Sequence, residues 1–216
     1  GLVYCLRSGN ALNFRYGFSE PEIVNDLRYF ADFQYNEGFS KASIDIRYRK
    51  LTNINRYIDL RMYLGTFLFN NTSSDFFSFA LDRPSDYLFD LNYLGRSESS
   101  GFLSQEIIIT EGGFKSIFED PYANEWIATT NASISVWRFI ELYGDAGFLK
   151  NRNEDARFKY DTGVRLNFIN NFLEVYFPLQ SSNGFEPGFS DYASRIRFVL
   201  TLDFERIYNF VKRGFY

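Results

Sequence analysis

From Ala156 to Phe168 the chain changes character at every residue. Arg157, Lys159, Asp161, Gly163, Arg165 and Asn167 take one set of positions, and Phe158, Tyr160, Thr162, Val164, Leu166 and Phe168 take the other. Successive side chains of a β-strand point to opposite faces, so this period of two reads as a strand with one polar and one apolar face. The pattern recurs along the chain. Arg28, Asp32 and Gln34 alternate with Leu27, Tyr29, Ala31, Phe33 and Tyr35. Ser43, Asp45, Arg47 and Arg49 alternate with Ile44, Ile46 and Tyr48. Asp59, Arg61, Tyr63 and Gly65 alternate with Ile58, Leu60, Met62 and Leu64. Glu141, Tyr143, Asp145 and Gly147 alternate with Ile140, Leu142, Ala146 and Phe148. Near the end, Arg195, Arg197, Thr201 and Asp203, with Val199 among them, alternate with Ile196, Phe198, Leu200, Leu202 and Phe204.

A soluble antiparallel sandwich alternates too, with its apolar face as the core. Two features point instead to an apolar face in lipid. The strands approach the 9–11 residues or so that a tilted membrane-spanning strand needs. The polar face carries charges of both signs at mid-strand, which suits a crowded lumen. Composition agrees: 20% of the residues are aromatic, with 26 Phe and 16 Tyr, yet 23% are charged and the mean hydropathy is only -0.26. A barrel with aromatic girdles outside and a polar lumen inside accounts for both. No run approaches the roughly 18 apolar residues of a spanning helix, so strands are the only route across a bilayer.

The expected fold is all-β: a transmembrane antiparallel β-barrel of about 12 strands, an even number as single-chain bacterial barrels have. The predicted strands are residues 2–7, 11–18, 27–36, 41–51, 56–69, 86–94, 101–111, 126–136, 140–150, 157–168, 172–180 and 192–204. The short turns at Asn53–Asn55, Trp137–Phe139 and Ile169–Asn171 then share one side with both chain ends. The long connections Asn70–Ser85, Glu111–Glu125 and Ser181–Asp191 are external, as in outer-membrane barrels. Residues 1–204 form the barrel. Residues 205–216 form a short amphipathic helix at the periplasmic interface, with Ile207, Phe210 and Val211 on one face.

Chemistry is bounded by an absence: the chain has no histidine. Imidazole-based hydrolysis and His-type zinc sites are therefore excluded, and the single cysteine, Cys5, is no substitute. Leu2-Val3-Tyr4-Cys5 reads as strand rather than lipoprotein box, because Tyr4 is too bulky before the cysteine. The chain opens on Gly1 with no visible signal peptide, as expected of a processed or truncated chain. A net charge of -4 offers no footprint for nucleic acid. No cofactor or metal is expected. Asp32, Asp45, Asp59, Glu141, Asp145, Asp161, Glu174 and Asp203 are predicted to face the lumen. So are Arg15, Arg28, Arg47, Arg49, Arg61, Lys159, Arg165, Arg195 and Arg197. Buried charges need partners, so these read as a salt-bridged filling of the lumen and not as paired catalytic carboxylates.

Three stretches are more specific than periodicity. Asp75-Phe-Phe-Ser-Phe-Ala-Leu-Asp-Arg-Pro-Ser-Asp-Tyr-Leu-Phe-Asp-Leu-Asn-Tyr-Leu-Gly-Arg-Ser-Glu98, Ile109-Thr-Glu-Gly-Gly-Phe-Lys115 and Arg195-Ile-Arg-Phe-Val-Leu-Thr201 resemble the C-terminal region of gluzincin-family metallopeptidases of Gram-negative bacteria. The resemblance spans about residues 12–216. In that family a zinc-peptidase-like domain is followed by a long β-rich tail. The resemblance implies a non-catalytic outer-membrane barrel that anchors a peptidase domain lying upstream of Gly1, or that docks into a larger outer-membrane assembly. The family's HExxH helix has no counterpart here, so no catalytic residue carries over. Outer-membrane lipid, and other outer-membrane proteins, are the expected partners. A small transport pore is the alternative function, and an independent enzyme is a third that the missing histidine disfavours.

Overall fold

Antiparallel pairing of consecutive strands sets the architecture. In the structure, a computed structural model describing residues 2–8, 11–21, 24–53, 56–73, 75–83, 111–169 and 173–200, consecutive strands fold back beside one another. They are β1 (Leu2–Ser8), β2 (Ala11–Pro21), β3 (Asn25–Asn36), β4 (Phe39–Asn53) and β5 (Arg56–Asn70), each antiparallel to the next. Two short strands follow, β6 (Phe79–Ala80) and β7 (Tyr122–Ala123), which pair only with each other. The meander resumes with β8 (Trp126–Trp137), β9 (Ile140–Lys150), β10 (Arg157–Ile169) and β11 (Leu173–Ser181). The outer edge of β11 carries β12 (Gly184–Phe185) at one end and β13 (Arg197–Leu200) at the other. Together these make one 11-stranded antiparallel sheet.

This corrects the predicted strand order. β5 is hydrogen-bonded directly to β8 from Ile58↔Ile134 to Thr66↔Trp126. The predicted strands at 86–94 and 101–111 therefore do not come between them, and both segments lie almost wholly outside the described residues. Direct β5–β8 pairing leaves the parity of the turns intact. The connections at 22–24, 54–55, 138–139 and 170–172 share one end of the sheet, and those at 71–125, 151–156 and 182–196 share the other. The predicted last strand also starts late. Residues Tyr192–Arg195 form a short helix, α1, and the strand begins at Arg197. The predicted helix at 205–216 lies outside the described residues. No described helix is long and apolar enough to cross a membrane.

The two faces of the sheet differ: one exposes large apolar side chains, and the other carries buried polar and charged ones. Along β5, Tyr63 is 6% exposed while Leu64 beside it is 46% exposed. Ile58, Leu60, Met62 and Leu68 lie on the same bare face as Leu64. The phase holds around the sheet: Ile44 and Ile46 on β4, Ile134 and Val136 on β8, Leu142 and Phe148 on β9, and Phe158 and Tyr160 on β10 are all exposed. Asp45, Asn131, Glu141, Asp145, Asp161, Arg165, Asn167 and Glu174, on the opposite face of these strands and of β11, are buried.

What buries the polar face is partly the chain itself. The segment Glu111–Phe118 lies against it near the long-connection end. Gly112 and Gly113 make that approach possible. A Cβ on Gly112 would sit 2.4 Å from Cα of Leu81, and one on Gly113 would sit 2.7 Å from Arg61 Nη1 and from Asn131 Oδ1. Gly113 also has φ +72, a conformation that suits glycine. Phe114 and Phe118 then join Tyr63, Phe79, Leu81, Ala123, Ile127 and Leu149 in a small apolar core. This core lies on the inner side of the wall, under the long connections.

Candidate functional site: the charged inner face

Strand register decides which charges meet. Arg15 is opposite Asp32, and the two form an ion pair between β2 and β3. Asp45 receives both Arg47, at 2.7 Å, and Arg61, at 2.9 Å. Arg49 donates to Asp59 across the β4–β5 pair. Arg165 is the most connected: it pairs with Glu141 at 3.0 Å, with Glu174, and at 3.8 Å with Asp59. Tyr176 completes this cluster by donating its hydroxyl to Glu174 at 2.7 Å.

The inner segment is tied into the same network. Lys115 Nζ reaches Asp145 at 2.8 Å, and Asn131 donates to both Asp145 and the Gly112 carbonyl. The backbone N–H groups of Lys115 and Ser116 donate to one oxygen of Asp161, at 2.8 and 2.6 Å. Asp161 thus acts as an anchor for backbone, a role that alternation could not reveal. Lys159 lies over the Phe118 ring at 5.4 Å. Arg197 is buried on β13 opposite Tyr176.

One residue departs from the sequence reading. Arg195 belongs to α1 and pairs with Glu186 and Asp191 within the 182–196 connection, so it does not stand on a strand face. A hydrogen bond from Arg195 holds the Asp191 carboxyl below the usual carboxylate range. Arg28 is on the inner face but pairs with Asp26 on its own strand. Asp203 lies outside the described residues.

Other inner residues were not predicted. Lys41 donates to the Phe77 carbonyl at 2.9 Å and lies 4.9 Å from the Phe79 ring centroid. It is in phase with Ser43 and Asp45, so its face was legible, but its aromatic cage was not. Lys115 had no periodic context at all; the paired glycines before it were the only signal. Beside the inner segment a cavity of about 280 Å³ remains, bounded by residues of β3, β4, β5 and β8–β11 and by Gly113 and Lys115.

Among the described residues no group of three or more His, Cys, Asp or Glu side chains is placed to hold a metal ion. Comparison with known proteins adds nothing to this geometry: the chain matches no family model, no curated protein and no solved structure.

Proposed function

We propose that this chain is an outer-membrane β-barrel with a filled interior, serving as an anchor and not as a conduit. One observation carries the reading: one face of the sheet exposes large aliphatic and aromatic side chains at mid-strand, while the opposite face carries paired charges, most of them buried. A contiguous apolar band of this size on a soluble monomer would be an aggregation surface. In a bilayer it is the lipid-facing side, and the alternation then needs no further explanation. Closure of the sheet on itself belongs to this reading, because open edges are not stable in hydrocarbon.

The long connections at 71–125, 151–156 and 182–196 share one end of the sheet, together with the two-residue turn at 37–38, and this supports an orientation with that end external. The interior supports the anchor over the pore. Barrels of about eight strands are filled by side chains alone. Here a slightly wider wall is occupied by Glu111–Phe118 and its ion pairs. The resemblance of Asp75–Glu98 to gluzincin tails extends the reading to the cargo: a peptidase domain joined upstream of Gly1, or a larger outer-membrane assembly in which the barrel docks.

The test is partition. The full chain, refolded in detergent and diluted into phosphatidylcholine vesicles, is expected to float with the vesicles and to resist carbonate extraction. A chain that stays folded and soluble without detergent overturns the proposal.

A further inference from the structure

Like charges directly opposite one another across a sheet are destabilising. On the inner face here three arginines are in register on three adjacent strands: Arg28 is opposite Arg47, and Arg47 is opposite Arg61. Arg28 pairs with Asp26, and Arg47 and Arg61 both pair with Asp45. All three arginines border the 280 Å³ cavity, as does Arg49, two residues from Arg47 toward the 54–55 end of β4. The long guanidinium arms reach into that space. Asp45, with its short side chain, is buried against the wall. The side chains of Arg28 and Arg47 are 47% and 46% exposed, far more open than Arg61 or Arg165.

Donor geometry adds to charge. Arg28 engages Asp26 through Nε and Nη2, and Arg49 engages Asp59 through the same edge. The planar fork of arginine offers a second edge, and such forks match phosphoryl oxygens in pairs. Three arginines in register on adjacent strands, with Cβ atoms about 5 Å apart, suit an anion with several oxygens and more than one charge. The cavity is lined by Arg28, Arg47, Arg49, Arg61, Lys115 and Arg165 and by the carboxylates Asp26, Asp59 and Glu174, so cations outnumber anions along it.

We propose that the cavity at Arg28, Arg47, Arg49 and Arg61 is a binding site for a small phosphorylated solute. The cavity volume fits a diphosphate or a compact phosphomonoester. A soluble anion is favoured over a lipid headgroup, because the site is on the polar inner face and the apolar face is on the other side of the wall. The proposal does not depend on membrane insertion, so either can fail alone.

Inorganic pyrophosphate titrated calorimetrically into the purified, refolded full chain at low salt is the test. Saturable binding is expected, weakened at least tenfold by the double substitution Arg28→Gln, Arg47→Gln, and unchanged by Arg56→Gln on an exposed strand end. Unfolding would mimic such a loss, so a second variant reads in the opposite sense. Asp26→Asn removes the carboxylate that competes for Arg28, and is expected to tighten pyrophosphate binding several-fold. No binding to the unmodified chain overturns the proposal, as does binding that Asp26→Asn leaves unchanged or weakens.

Discussion

Arg165 on β10 brings Nη1 to 3.8 Å from Oδ2 of Asp59 on β5, although β8 and β9 lie between those strands. In a flat sheet, three inter-strand steps of about 4.8 Å separate the two backbones by about 14 Å. Side chains stand roughly perpendicular to a sheet, so the contact records a wall that curls toward its polar face. The same guanidinium serves Glu141 and Glu174. Arg165→Met leaves both carboxylates buried without their cation and is expected to destabilise the fold by about 3–5 kcal/mol. Adding Glu141→Gln and Glu174→Gln should recover much of the loss. Urea unfolding of the refolded chain in detergent measures both.

The exposed face makes a different demand. Leu64 stands mid-strand on β5, 46% exposed. Leu64→Arg on a solvated surface should change stability by no more than about 0.5 kcal/mol. In the hydrocarbon of a bilayer it should cost about 2–4 kcal/mol. Unfolding from vesicles, compared with the unmodified chain, separates the two.

Gly113 holds the inner segment against Arg61 and Asn131. Gly113→Ala places a methyl group in a space already occupied, at φ +72. A penalty of about 1–3 kcal/mol is expected for such a strained position. In a planar bilayer the unmodified chain should show no steady conductance, and Gly113→Ala should raise the frequency of transient openings. A large ohmic conductance from the unmodified chain would refute the filled interior.

The long connection carries a pH-sensitive contact. Burial pushes the Asp82 carboxyl above its usual range, against the opposing effects of Arg83 and of the Phe118 N–H, which donates to it at 2.6 Å. The folded chain therefore holds this proton more tightly than the unfolded chain. Its contribution to stability is complete below about pH 4 and is lost as pH rises through the folded-state value. Hydrogen exchange at the Phe118 amide should accelerate over that rise beyond the intrinsic rate. Asp82→Asn, which keeps an acceptor oxygen without the charge, should flatten the dependence.

Periodicity located most of the sheet because a two-sided strand writes both of its environments into alternate residues. Arg157 to Asn167 shows this: the polar members of that run form the inner face of β10. Three features escaped it. The partner of β5 was misassigned because β5–β8 pairing depends on closing a long connection, and inserting a pair of strands leaves the parity of every turn unchanged. Arg195 and Arg197 are in phase in the sequence, yet Tyr192–Arg195 turns helical, so phase alone did not place Arg195 on the wall. The inner segment at Gly112–Phe118 has no period because it is neither strand nor helix. Its position follows from the side chains of Asp145, Asp161 and Asn131, which reach it from strands far along the chain.

The β5–β8 seam also sets the order in which the wall can assemble. Most other neighbours in the sheet are joined by connections of a few residues, which close readily. Bringing β5 to β8 requires closing residues 71–125, and the chain entropy of that loop exceeds that of a two-residue turn by roughly 3 kcal/mol. Strands β1–β5 and β8–β11 are thus two local meanders, each able to zip along its own turns, joined by one slow, non-local event. Side chains across that seam, Arg61 with Asn131 among them, should give φ-values near zero if the seam forms after the rate-limiting step. Values near one there would make this single encounter the nucleus on which both halves wait.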